Sequence, residues 1–183
     1  MRTMMYIHGY GSTGKAVKAQ QLQAMFPDMR LVSPTFDYDS LTPQEVYRQL
    51  QKLVIKEQPT LIVGSSTGGY YALCCTNFFD GTVWCVNPVH NIVGTIERHL
   101  AQSGHNISQR LADYKKFDHE VFQQLKPRDR QLHFALSTDD ELLGDHRPLL
   151  DMFPNYGSVV WKDHSGHRFF CFNELKEQIT KSL

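Results

Sequence analysis

The stretch from Thr60 to Cys75, TLIVGSSTGGYYALCC, limits the folds open to this chain more than any other. Leu61-Ile62-Val63 is a short apolar run of the kind that makes a buried strand. Gly64 to Gly69 is built almost wholly from small residues, and Tyr70 to Cys75 is apolar again. The sequence therefore predicts a strand, a very tight turn and a helix packed back on the strand. The turn carries G-x-S-x-G with Ser66 at its centre. In this nucleophile-elbow pattern the reversal lifts one hydroxyl out at the sheet edge, and small neighbours let strand and helix approach closely. Ser66 is expected at positive φ, a strain kept because it aims Oγ. Gly, Ser and Gly fall at these offsets by chance in roughly one chain in twenty of this length, so the flanking strand and helix signals carry the reading. The plainer alternative is a Gly/Ser-rich loop that only turns the chain.

Around this element strands and helices alternate. Met4 to Ile7, Arg30 to Ser33, Leu61 to Val63, Thr82 to Val86, Leu132 to Leu136 and Ser158 to Trp161 read as strands. A helix is predicted from Lys15 to Phe26. Another starts at Thr42-Pro43-Gln44-Glu45, with Thr at N-cap, Pro at N1 and Glu at N3. It carries Val46, Leu50, Leu53 and Val54 on one stripe. Short helices are predicted at about 145–153 and after His167. This order predicts an α/β fold: a mostly parallel sheet of about six strands with helices on both faces. Residues 1–183 are read as one domain, with a small helical cap inserted at about 90–126. Parallel sheets bind ligands beyond the carboxyl ends of their strands. The polar clusters His8 to Gly14, Gly64 to Gly69, Asn87, Asp139-Asp140 and His164 to His167 all fall there.

Composition removes several function classes. Lys+Arg and Asp+Glu are both 19, so net charge gives no case for nucleic acid or an anionic membrane. No apolar run is long enough to span a bilayer, and the N-terminus lacks a signal-peptide pattern. Cys74, Cys75, Cys85 and Cys171 form no C-x-x-C and read as reduced, mostly buried thiols, which points to the cytoplasm.

A serine attacks well only when a base takes its proton and a third group orients the base. With an elbow of this kind the chain order is Ser, then Asp or Glu, then His. Ser66 is followed by Asp139 and Asp140 after the fifth strand, and by His164 and His167 after the sixth. Asp140 is preferred, because it precedes a segment that re-enters the core, while Asp139 suits the turn. His167 is preferred, because it follows Ser165-Gly166 and can swing over the sheet edge. Backbone N–H groups of Thr67 and Tyr10 are the expected oxyanion donors. Tyr10, Tyr70, Pro88 and Phe169 are candidate pocket residues. A zinc set of Asp163, His164 and His167 is the weaker reading, and no metal or cofactor is expected.

One competing motif lies in the first loop. Gly9 to Ala16 nearly matches the P-loop G-x-x-x-x-G-K-[ST], but Ala16 stands where a magnesium-binding hydroxyl belongs. Phosphate or nucleotide binding through Gly9 to Lys15 therefore stays a minor alternative.

Tyr6-Ile7-His8-Gly9, Gly64 to Tyr70, Asn87-Pro88, Asp140-Glu141 and Gly166-His167 together resemble the α/β-hydrolase superfamily. More closely, the chain resembles the small YqiA/YcfP-type esterase-like proteins (UPF0227), nearly end to end. That resemblance implies a compact, cytoplasmic three-layer hydrolase fold beginning at the superfamily's third strand. It implies action on small esters or thioesters through Ser66, Asp140 and His167. Some members have a degraded elbow, whereas this chain keeps Ser66. The other reading is a hydrolase-like scaffold that binds without turnover.

Overall fold

A computed structural model describes residues 1–103 and 107–183, leaving aside the side chains of 99–109. In chain order the elements are β1 (Thr3–Ile7), α1 (Val17–Met25), β2 (Arg30–Val32), α2 (Pro43–Glu57), β3 (Leu61–Ser65), α3 (Thr67–Cys75), β4 (Thr82–Val86), α4 (Ile92–Ser103), α5 (Ile107–Glu120), β5 (Leu132–Ser137), α6 (Arg147–Met152), β6 (Ser158–Lys162) and α7 (Lys176–Ser182). The strands form one sheet in the order β2-β1-β3-β4-β5-β6, and every pairing is parallel.

The strand order reverses once. The chain steps from β1 outward to β2, then returns to lay β3 on the other side of β1. Connections from β1 and β3 therefore leave in opposite directions and open a crevice at their carboxyl ends. The loop after β1 and the turn after β3 meet there.

Side chains alternate across the sheet with period two. Met4, Tyr6, Leu61, Val63, Trp84 and Val86 pack with α1 and α7 on one face. Met5, Ile7, Ile62, Val83, Cys85 and Phe134 pack with α2, α3 and α5 on the other. Each such side chain, fully buried, stabilises the fold by about 1.5–3 kcal/mol. The capping box of α2 is complete: the Glu45 N–H donates to the Thr42 hydroxyl, and Glu45 accepts from the Thr42 N–H. Val46, Leu50 and Val54 of that helix are buried, and Leu53 is half-buried.

Two boundaries differ from the sequence reading. Helix α1 starts at Val17, because the residues before it are pinned as a loop. Gly14 donates its N–H to Thr35 Oγ1 at 3.0 Å, and a Cβ on Gly14 would lie 2.0 Å from the Ser33 carbonyl oxygen. The last helix is preceded by a separate 3-10 turn over Phe172–Leu175. Helices α4 and α5 fill the β4–β5 connection, where the sequence suggests a cap. Tyr114 and Phe117 of α5 are buried in the core against α3. Among the described residues no helix is long and apolar enough to cross a membrane.

Candidate active site at the strand ends

Ser66 lies between β3 and α3 with φ 56° and ψ −122°. A side chain rarely adopts this conformation, and hydrogen bonds hold it there. The Ser66 N–H donates to the Val86 carbonyl at 3.0 Å, and its carbonyl accepts from Gly69, Tyr70 and Val89 at 2.9, 3.1 and 3.1 Å. Two glycines make the reversal sterically feasible. A Cβ on Gly64 would fall 2.2 Å from the Gly68 carbonyl oxygen, and one on Gly68 would fall 2.1 Å from that of Ile7. Helix α3 is buried on every side, as expected of a helix apolar all round.

The loop after β6 brings His167 over this hydroxyl. His167 Nε2 is 2.9 Å from Ser66 Oγ. On the other side of the ring, Nδ1 is 3.0 and 2.9 Å from Asp140 Oδ1 and Oδ2. An ionised carboxylate only accepts, so Nδ1 carries the proton and Nε2 is left to accept from the serine. The structure thus joins residues 101 and 27 positions apart in the chain into one line of hydrogen bonds.

Three consecutive acids after β5 face this loop, each with its own task. Asp139 Oδ1 accepts the N–H groups of Ser165 and Gly166, both at 3.1 Å. Asp140 meets the His167 ring. Glu141 Oε2 accepts the His167 N–H at 2.8 Å. From β4, Asn87 Nδ2 donates to the carbonyls of Gly166 and His167 at 3.0 and 3.1 Å and to Ser137 Oγ at 2.9 Å. The orientation of His167 is therefore fixed through its backbone as well as its ring.

The Asp140 side chain is inaccessible to solvent. Burial pushes its acidity down, but hydrogen bonds from His146 and His167 and the N–H of Leu143 outweigh burial and hold the carboxyl well below the usual carboxylate range. His146 is the unexpected member: its Nε2 lies 3.0 Å from Asp140 Oδ2.

Both candidate oxyanion donors border Ser66. Thr67 is the first residue of α3, and the first N–H groups of a helix have no carbonyl within it. The chain entering Tyr10 runs past the serine: a Cβ on Gly9 would lie 3.1 Å from Ser66 Cβ and 3.7 Å from its Oγ. The Tyr10 hydroxyl donates to Asp39 Oδ1 at 2.6 Å, and this bond pushes the phenol up to about 12.

A cavity of about 980 Å³ opens over Ser66, bordered by Tyr10, Ile92, Tyr114, Leu142 and Phe169 among others. Two expected pocket residues are corrections. Tyr70 does not reach the cavity: it is fully buried, stacks on Phe122 at 4.7 Å and donates to Asp118 Oδ1 at 3.2 Å. The first turn of α3 aims it at α5. Pro88 instead packs on α3, where a Cβ on Gly69 would come within 2.7 Å of Pro88 Cβ.

His8 is a staple for the first loop. Its Nε2 accepts the Phe36 N–H at 2.9 Å, so Nδ1 carries the proton and donates to the Gly9 carbonyl at 2.7 Å. In the near P-loop Gly9 lies against Ser66 and Gly14 against Ser33, and the Gly14 N–H goes to Thr35. His164 is exposed, and Asp163 accepts from Thr138 Oγ1 at 2.6 Å. Sequence reading missed His146, Glu141 and the anchoring work of Asn87. The run Asp139-Asp140-Glu141 was the available signal for Glu141.

Comparison with known proteins bears on the fold and the family. Among solved structures, a putative hydrolase of the α/β superfamily from Xanthomonas campestris superposes with a TM-score of 0.71 at 15% identity, covering 100% of both chains. Est1E from Butyrivibrio proteoclasticus with ferulic acid bound also gives 0.71, at 9% identity, over 100% of this chain and 89% of that one. The fold is that of the α/β hydrolases. A UPF0227 protein of Yersinia enterocolitica is 30% identical over 181 residues, covering 91% of this chain and 90% of that protein. A UPF0227 protein of Yersinia pseudotuberculosis serotype O:1b is 31% identical over the same length and coverage. Residues 3–183 match the family described as "Uncharacterised protein family (UPF0227)", and the chain belongs to that family.

Proposed function

We propose that this protein is a serine hydrolase that cleaves small carboxylic esters or thioesters through an acyl-enzyme intermediate. The observation that carries this reading is the 2.9 Å contact between Ser66 Oγ and His167 Nε2, with Asp140 behind the ring and the serine on a strained elbow. In the proposed cycle His167 takes the Ser66 proton as Oγ attacks the carbonyl carbon. Asp140 holds the ring in the Nδ1–H tautomer and stabilises the imidazolium that forms. The N–H groups of Thr67 and Tyr10 receive the tetrahedral oxyanion, a contribution that typically reaches a hundredfold or more per donor. His167 then protonates the leaving alcohol or thiol. Water, deprotonated by the same ring, frees the acid and restores Ser66.

The cavity supports a small-molecule substrate. Its apolar residues Ile92, Leu142, Phe169 and Phe170 suit an acyl chain, and Lys18, Arg98, Arg110 and Arg168 also border it. A fluorophosphonate probe tests the reading. It is expected to label the wild-type protein and not Ser66→Ala. Unlabelled wild-type protein would favour a binding scaffold instead. A screen across p-nitrophenyl esters and acyl-CoA thioesters then separates the leaving groups.

A further inference from the structure

Behind Asp140, away from Ser66, stands a second imidazole. The His146 side chain is wholly inaccessible to solvent, and its Nε2 lies 3.0 Å from Asp140 Oδ2. The two oxygens of Asp140 are anchored differently. Oδ1 accepts the N–H groups of Leu142 and Leu143 at 3.0 and 2.9 Å. Oδ2, among the described residues, has only the two histidines, His146 at 3.0 Å and His167 at 2.9 Å. Among the described residues, His146 is therefore the partner besides His167 of the Asp140 oxygen that lies 2.9 Å from that ring.

Among the described residues the His146 ring makes no other hydrogen bond. It precedes α6 as N-cap, but its side chain makes no capping bond. Its Nδ1 is buried with no partner among the described residues. The His90 ring stands 5.8 Å away at 63°, and its Nδ1 is likewise buried without a partner among those residues. A buried polar atom left unsatisfied is destabilising, and such atoms gather where function holds them.

We infer that His146 is a positioning residue for the hydrolase: as the Nε2–H tautomer it donates to Asp140 Oδ2 and fixes the carboxylate for His167. The inference rests on the hydrolase reading above. The ionised carboxylate can only accept, so the proton between them belongs to Nε2. That bond does two things. It stops Oδ2 from turning away from His167, and it draws off part of the negative charge that Asp140 presents to that ring. The titratable groups facing His146 are Asp140, with His167 beyond it, His90 from the β4–α4 connection, and Asp145 next to it in the chain.

Two variants separate positioning from packing. His146→Phe keeps a ring and removes the donor. His146→Gln keeps an amide N–H that can reach where Nε2 stood. With p-nitrophenyl acetate, His146→Phe is expected to lower kcat about ten- to a hundredfold, the range of one hydrogen bond to a charged group, with KM nearly unchanged. With Oδ2 relieved of one donor, Asp140 favours a protonated His167 more strongly. The acid limb of kcat/KM then moves to higher pH by about half a unit to one unit. His146→Gln should recover most of kcat and return the limb towards its wild-type position. Equal kcat and one pH profile in all three proteins would overturn the inference. So would equal losses in both variants that follow their thermal stability.

A readout without turnover covers the case in which His146→Phe fails to fold. Two-dimensional 15N–1H correlation of the imidazoles in the wild-type protein should show His146 protonated at Nε2 and perturbed by Asp140→Asn. A ring protonated at Nδ1 alone would sink the inference, whatever the activity. Wild-type protein inert to both the ester and a fluorophosphonate would instead count against the hydrolase reading itself.

Discussion

The elbow at Ser66 and the corner that carries Asp140 and His167 reach the same point by different means. At the elbow, backbone does the work: positive φ at Ser66, carbonyls and N–H groups tied on both sides, and glycines that let α3 touch β1 and β3. At the corner, side chains do it: Asn87, Asp139, Asp140, Glu141 and His146 reach across three loops to hold one imidazole. The elbow is local and stiff, whereas the corner is a network whose members matter unequally. The sharpest test of the elbow is to remove what it presents. Ser66→Ala should cut kcat on the order of 10⁶-fold, the scale of nucleophile loss in other serine triads, while the fold stays intact. Single-turnover release of p-nitrophenol with matched circular dichroism checks it.

The corner's largest effect belongs to its acid. Asp140→Asn should reduce kcat on the order of 10⁴-fold by favouring the wrong tautomer of His167. The same variant tests linkage. The folded-state carboxyl lies below the ordinary aspartate value of 3.8. Its stabilisation is therefore complete above that pH and drains away as pH falls through the folded-state value. Urea titrations should show a stability gap between wild type and Asp140→Asn that is constant above about pH 4 and narrows as pH falls below it. A constant gap across that range would mean that the carboxylate charge contributes nothing to the fold.

This difference also decides what the sequence could disclose. The elbow is written in consecutive residues, so Gly64 to Gly69 announce both the turn and its strained serine. The six strands are legible for the same reason: each is a short, mainly apolar run that gives way to polar or turn-forming residues. The corner is assembled from positions 87 to 167, and spacing along the chain carries no trace of that. His146 sits before Arg147-Pro148 like any residue ahead of a helix, yet it is wholly buried beside Asp140. Tyr70 misleads for a geometric reason. It lies four residues after Ser66, but the serine stands outside the helix at positive φ, so the helical face does not continue through it. The chain order of serine, acid and histidine was legible; the second histidine and the loop anchors were not.

The elbow can be broken without touching the serine. In an ordinary exposed helix, Gly→Ala stabilises by about 1 kcal/mol. At Gly68 the added Cβ would fall 2.1 Å from the Ile7 carbonyl oxygen and 2.5 Å from that of His8. Both are backbone atoms of the central sheet and its following loop, with no rotamer to yield. Overpacking therefore wins, and Gly68→Ala should destabilise by about 2–3 kcal/mol, read as a lower urea midpoint at unchanged m-value. Greater stability in this variant would show that strand and helix have room between them.

The smallest effect belongs to the acid next to the important one. Asp139 accepts two backbone N–H groups from the histidine loop and does not touch the His167 ring. Asn at this position keeps an acceptor oxygen in the same place and loses only the charge, which roughly halves the strength of such bonds. Asp139→Asn is therefore expected to lower kcat by less than about tenfold, with KM unchanged, since one weakened anchor remains beside Glu141 and Asn87. Asp139 and Asp140 are adjacent, equally charged and on one loop, so generic electrostatics would penalise their loss alike. A thousandfold gap between the two variants requires that direction decides: one carboxylate faces an imidazole, the other faces the backbone. If Asp139→Asn proves the crippling change and Asp140→Asn the mild one, the proton line runs through a different rotamer of this corner, and Ser66 and His167 keep their roles with a new third member.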